Sequence, residues 1–75
     1  MKIKVHDPRG SVMAEVYDCA AGALLMSLYG DGSYITYKGA SVWEEGIDGE
    51  GAESYDTTSM VIDSRLISMG VQVDG

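Results

Sequence analysis

Seventy-five residues with an apolar fraction of 45% and a charged fraction of 23% describe one soluble globular domain spanning residues 1–75, not a disordered tail. Twelve acids against five bases leave a net charge of −7. That sign disfavours direct contact with nucleic acid or an anionic membrane surface and favours a basic protein partner.

Cys19 is the only cysteine and His6 the only histidine, so neither an internal disulfide nor a Cys–His zinc set can be assembled. A lone thiol suits a reducing compartment, and the opening Met-Lys-Ile-Lys-Val-His-Asp-Pro has no apolar run of the kind a signal peptide needs. A cytoplasmic protein is therefore expected. No stretch approaches the roughly 20 apolar residues that cross a bilayer.

In chain order, Lys2-Ile3-Lys4-Val5 alternates with Ile3 and Val5 on one face, which predicts a strand. Asp7-Pro8-Arg9-Gly10 is a turn by composition. Ser11 to Tyr17 predicts a second strand with Val12, Ala14 and Val16 on one face. The next segment has two readings. Ala, Leu and Met between Cys19 and Tyr29 are strong helix formers. The favoured reading is a hairpin loop at Asp18–Gly22 followed by a strand, because it gives a consistent register. With Gly30–Ser33 as a loop and Gly39-Ala40 as a tight turn, Tyr37 faces Val42 and Thr36 faces Trp43. Leu24, Met26, Leu28, Ile35, Tyr37 and Val42 then share one face. The opposite face carries Tyr29, Tyr34, Trp43 and Glu45.

Gly46 to Tyr55 is glycine-rich, acidic and without periodicity, the pattern of a loop. Asp56 or Thr57 is placed to cap a helix running to Met69, with Gly70 at the left-handed position that ends it and Val71 folded back on Leu66. A strand pair competes, because Ile67, Met69, Val71 and Val73 alternate with polar or glycine positions, and Asp63 falls inside the apolar arc of the helical wheel. The expected fold is α+β: a small antiparallel β-meander of four to five strands with one C-terminal helix. A small all-β barrel or sandwich is the alternative.

Charge is unevenly distributed. Residues 1–38 are neutral, with Asp7, Glu15, Asp18 and Asp31 against Lys2, Lys4, Arg9 and Lys38. Residues 39–75 hold eight acids and only Arg65, and so carry the whole −7. Glu44, Glu45, Asp48, Glu50, Glu53 and Asp56 fall between Lys38 and Arg65 with no base among them.

Candidate chemistry is thin. Counted from Asp48, a calcium loop of the EF-hand type would need an oxygen donor at Ala52, glycine at Glu53 and glutamate at Ser59, and all three fail. Gly30-Asp31-Gly32 and Gly49-Glu50-Gly51 lack the third glycine and the lysine of a phosphate cradle. Nothing in the spacing brings His6 to Cys19 as base and nucleophile. No cofactor, metal or catalytic residue is expected, and the chain reads as a non-enzyme.

The functional expectation is a small acidic protein that blocks a basic surface of a partner, a nucleic-acid-binding protein or nuclease complex, with carboxylates standing in for phosphates. Phage or mobile-element inhibitors of host defence, anti-CRISPR proteins among them, fit this size and charge. The expected partner-binding residues are Tyr34, Trp43, Glu44, Glu45, Asp48, Glu50, Glu53 and Asp56, with Trp43 as an exposed aromatic anchor. The alternative is a structural module that self-associates, as a homodimer, through its β-sheet.

Overall fold

The computed structural model describes residues 1–46 and 55–72. The elements run β1 (Ile3–His6), β2 (Val12–Val16), α1 (Cys19–Tyr29), β3 (Tyr34–Tyr37), β4 (Ala40–Glu44) and α2 (Tyr55–Ser68). The four strands form one antiparallel sheet in the order β2-β1-β3-β4. The chain is therefore α+β, and its topology is a ββα unit used twice. The two units meet where β1 pairs with β3, with Val5 opposite Ile35. No sequence repeat accompanies this repeated topology.

Both helices cover one sheet face. Ile3 and Val5 from β1, Ile35 from β3 and Val42 and Trp43 from β4 meet Cys19, Ala23 and Met26 of α1 and Ile62 and Leu66 of α2 in a single core. Neither helix among the described residues is long and apolar enough to cross a membrane.

The favoured strand at residues 24–29 is corrected to helix, and the sheet is not a meander. The Asp18 carboxylate accepts from the Ala20 amide at the helix start, and Gly30, at φ 88°, ends it with its own amide on the Met26 carbonyl. The Ser33 hydroxyl, fully buried, lies 2.7 Å from the Gly30 carbonyl and 3.1 Å from that of Met26, and so satisfies the helix end. Leu24 and Leu28, expected on the core face, are exposed; Leu28 is 72% accessible. The face shared by the aliphatics in the hairpin register was a coincidence of spacing.

Gly22 sets the distance between α1 and the sheet. A Cβ there would stand 2.9 Å from Ile35 Cδ1 and 3.2 Å from Ile3 Cδ1. The missing side chain lets the helix sit directly on the two central strands.

The β3–β4 register also differs from expectation. The turn residues are Lys38 and Gly39, both at positive φ (50° and 83°), which is the mirror-image hairpin turn. Tyr37 faces Ala40 and Thr36 faces Ser41, and a bulge then makes Ile35 face Trp43 and Tyr34 face Glu44. The bulge lets two neighbours in sequence, Val42 and Trp43, both reach buried positions. A second bulge in the β1–β2 pair puts Val12 opposite His6 on the open sheet face, away from Ala14 and Val16, and leaves Val12 52% exposed.

The C-terminal helix forms as expected in kind. It begins at Tyr55, so Asp56 and Thr57 lie inside its first turn rather than capping it. Its end is closed by Gly70 at φ 86°, with the Gly70 amide on the Ile67 carbonyl and the Val71 amide on that of Leu66. Asp63 inside the apolar arc faces the buried Cys19 thiol at the start of α1, and its carboxylate is one of the groups that hold that thiol protonated.

Two predictions follow from this packing. Gly22→Leu forces bulk into the α1–sheet contact and should cost about 1–3 kcal/mol or more in urea unfolding; an unchanged midpoint would mean the helix does not approach that closely. The Cys19 thiol is pushed up from 9.0 to about 12, first by burial, then by the hydrogen bond and charge of Asp63 and the charge of Asp18. The folded chain thus keeps a proton that the unfolded chain releases above pH 9. Stability from this group is intact below pH 9 and falls as pH rises from 9 towards 12. Unfolding curves at stepped pH should show wild type losing stability more steeply over that window than Cys19→Ser, whose hydroxyl does not ionise. Parallel slopes would count against the buried thiol.

Candidate binding surface

The open sheet face and the loops at one end of it carry Tyr34, Glu44 and Glu45 of the sequence-predicted site. Paired positions share a face, so Lys4, Glu15 and Thr36 lie together, as do His6, Tyr34 and Glu44. Neither helix covers them.

The acidic end is built by three segments. The β3–β4 ladder continues past the strands: the Glu45 amide donates to the Ser33 carbonyl at 2.8 Å and the Gly32 amide to the Glu45 carbonyl at 2.9 Å. This fixes Glu44 and Glu45, both half-buried, beside the α1–β3 loop. The chain then turns at Gly46 (φ 88°), where an added Cβ would meet the Asp31 carboxyl carbon at 3.0 Å. Asp31, a residue from the neutral half of the chain, thereby joins the start of the acidic run. Its distance in sequence from Glu44 hides it from any reading of charge runs. On the other side of this loop, Pro8 of the β1–β2 turn packs against Gly32. Asp48, Glu50 and Glu53 lie outside the described residues, and of Asp56 only its place in the first turn of α2 is described.

Tyr34 stacks on His6 with ring centroids 4.4 Å apart and planes within 5°. His6 Nδ1 lies 3.2 Å from the Gly10 carbonyl and Nε2 lies 2.8 Å from the Thr36 hydroxyl. A carbonyl only accepts, so Nδ1 carries a proton. The lone histidine ties the β1–β2 turn to β3, and Tyr34 forms one wall of that joint. Among the described residues no three His, Cys, Asp or Glu side chains converge as metal ligands.

Trp43 is not part of this surface. It is 2% exposed and points to the helix-covered face, opposite Tyr34. The one-residue difference in register accounts for this, because side chains alternate faces along a strand. Arg65 of α2 lies over the indole ring at 5.1 Å and donates from Nη1 to the Val42 carbonyl at 2.9 Å, so it clasps the bulge from the helix side. The indole Nε1 is buried with no acceptor among the described residues.

Comparison with protein-family models, with characterised proteins and with solved structures finds no match to this chain.

Burial makes Trp43 a core residue, and Trp43→Ala should cost about 3–5 kcal/mol of stability. Its fluorescence, the only indole signal in the chain, should be blue-shifted and protected from acrylamide in the folded protein. Red-shifted, quenchable emission with a small stability cost would return Trp43 to the surface.

Proposed function

We propose that this chain is a small non-enzymatic binding protein whose acidic end covers a basic, nucleic-acid-binding surface of a partner protein. The observation that supports it is the separation of charge along the sheet. Asp31, Glu44 and Glu45 gather where the acidic run begins, whereas Lys2, Lys4 and Lys38 stand at the other end of the strands. Five residue steps of β1, Lys2 to Asp7, span roughly 16 Å. That is about twice the Debye length of 8 Å at physiological salt, so Lys2, and Lys38 beside it, do little to neutralise the acidic end, while Lys4 stands closer, two steps from the His6–Tyr34–Glu44 row.

A negative patch of this kind attracts a cationic surface at long range and accelerates encounter. Carboxylates on the end of a rigid sheet occupy positions a phosphate backbone would take on such a partner. Glu44, Glu45, Asp48, Glu50, Glu53 and Asp56 supply the charge in this reading, joined by Asp31, and Tyr34 contributes an aromatic edge beside Glu44. Trp43 has no direct part in it.

The test is affinity capture from lysate at about 0.05 M and about 0.5 M salt, with the retained proteins identified. Nucleic-acid-binding proteins should be retained at low salt and released at high salt. The double reversal Glu50→Lys with Glu53→Lys, in a segment whose sequence has no packing periodicity, should abolish capture while shifting stability by only about 0.5 kcal/mol. Retention of the same proteins by the reversed variant would refute the acidic interface.

A further inference from the structure

The end of the sheet opposite the acids holds a groove of about 650 Å³ lined by Met1, Lys2, Lys4, Glu15, Tyr37, Lys38 and Gly39. Three of the chain's five basic residues are collected here. Lys2 and Glu15 form an exposed ion pair at 3.6 Å, and the Lys38 ammonium lies 5.5 Å from the centroid of the Tyr37 ring. Three ammonium groups against one carboxylate leave the groove positive in a chain of net charge −7.

We propose that this groove docks the acidic end of a second copy of the chain. Charge complementarity selects the occupant. The groove is cationic, counts the Tyr37 ring among its lining, and is wide enough for several side chains. The chain's own Asp31, Glu44 and Glu45 are at the far end of the same rigid strands and cannot reach it. A second molecule presents those groups without any change of fold. The groove is distinct from the acidic patch offered to a basic partner, but the acidic end serves both contacts, so self-association and partner binding compete for it.

A contact confined to one end of each sheet is not the extensive interface of a stable dimer, which buries about 1,200 Å² or more, so the proposed association is transient. It also works against the net charge each copy carries. At about 0.01 M salt the Debye length is about 30 Å, longer than the 27 Å body, and the like net charges repel. Near 0.15 M it is about 8 Å, so whole-molecule repulsion is screened while groups in contact still attract. At about 1 M it is about 3 Å and the contact weakens too. Association is therefore strongest at intermediate salt.

Sedimentation equilibrium near 1 mM protein at these three salt concentrations reads this directly. The weight-average mass should rise above the monomer's 8.0 kDa most at the middle concentration. Lys4→Glu with Lys38→Glu should sediment as a monomer, and Asp31→Lys with Glu45→Lys should associate more weakly than wild type. An equimolar mixture of the two variants should associate again, because each groove then faces an end of opposite charge. A wild-type monomer at all three salts would overturn the proposal, as would association that survives in Lys4→Glu with Lys38→Glu. Association that grows steadily with salt would also overturn it, and would assign self-contact to exposed helix side chains such as Leu24, Leu28, Met60 and Ile67. The Lys4→Glu, Lys38→Glu variant keeps the acidic end, so its capture of basic proteins reports separately on the proposed function.

Discussion

The antiparallel pairing of β1 with β3 is the contact on which the rest of the molecule depends. It joins two ββα units that each have one apolar sheet face and one helix. Neither unit has enough apolar surface alone, since a hairpin and a single helix bury too little. Placing Val5 opposite Ile35 makes one floor of Ile3, Val5 and Ile35, on which α1 rests through Gly22. Ile62 and Leu66 of α2 complete the same core. The same pairing sets His6 against Tyr34 and Thr36, so the joint between the units is also polar and aromatic on the open side.

That pairing also decides where the charges go. Because β1 and β3 run in opposite directions, the start of β1 lies beside the end of β3. Lys2 and Lys38, distant in sequence, become neighbours at one end of the sheet. The β1–β2 turn and the α1–β3 loop come together at the other end, where Pro8 meets Gly32 and Asp31 meets Gly46. A modest sequence asymmetry becomes a molecule with a cationic end and an anionic end.

The helix at Cys19–Tyr29 was hard to read because its sequence, Cys-Ala-Ala-Gly-Ala-Leu-Leu-Met-Ser-Leu-Tyr, is apolar on every side. A helix with no polar face gives no 3.6-residue signal, so the spacing of the flanking turns points instead to a strand. The local evidence for helix, an Asp cap and a run of Ala, Leu and Met, was the sounder guide. Trp43 went to the wrong face for a related reason. Turn composition suggested Gly39-Ala40, whereas the chain turns at Lys38-Gly39 and inserts a bulge at Val42. Lys38 in a left-handed conformation has no sequence signature.

The sequence by itself determined the α+β class, β1 with Ile3 and Val5 on one face, the Asp7–Gly10 turn, and a glycine-closed C-terminal helix, read to Met69 where the structure ends it at Ser68. It also determined the charge imbalance of residues 39–75. These depend on neighbours along the chain: capping, alternation and turn chemistry act over a few residues. Only the tertiary structure decided the β2-β1-β3-β4 order, the burial of Trp43 under Arg65, the Cys19–Asp63 contact, and the separation of the lysine groove from the acidic end. Each depends on contacts between segments distant in the chain, such as β1 with β3, Trp43 with Arg65 and Asp31 with Gly46, and pairing at such distances is chosen by which faces can be buried together, a quantity no local window contains.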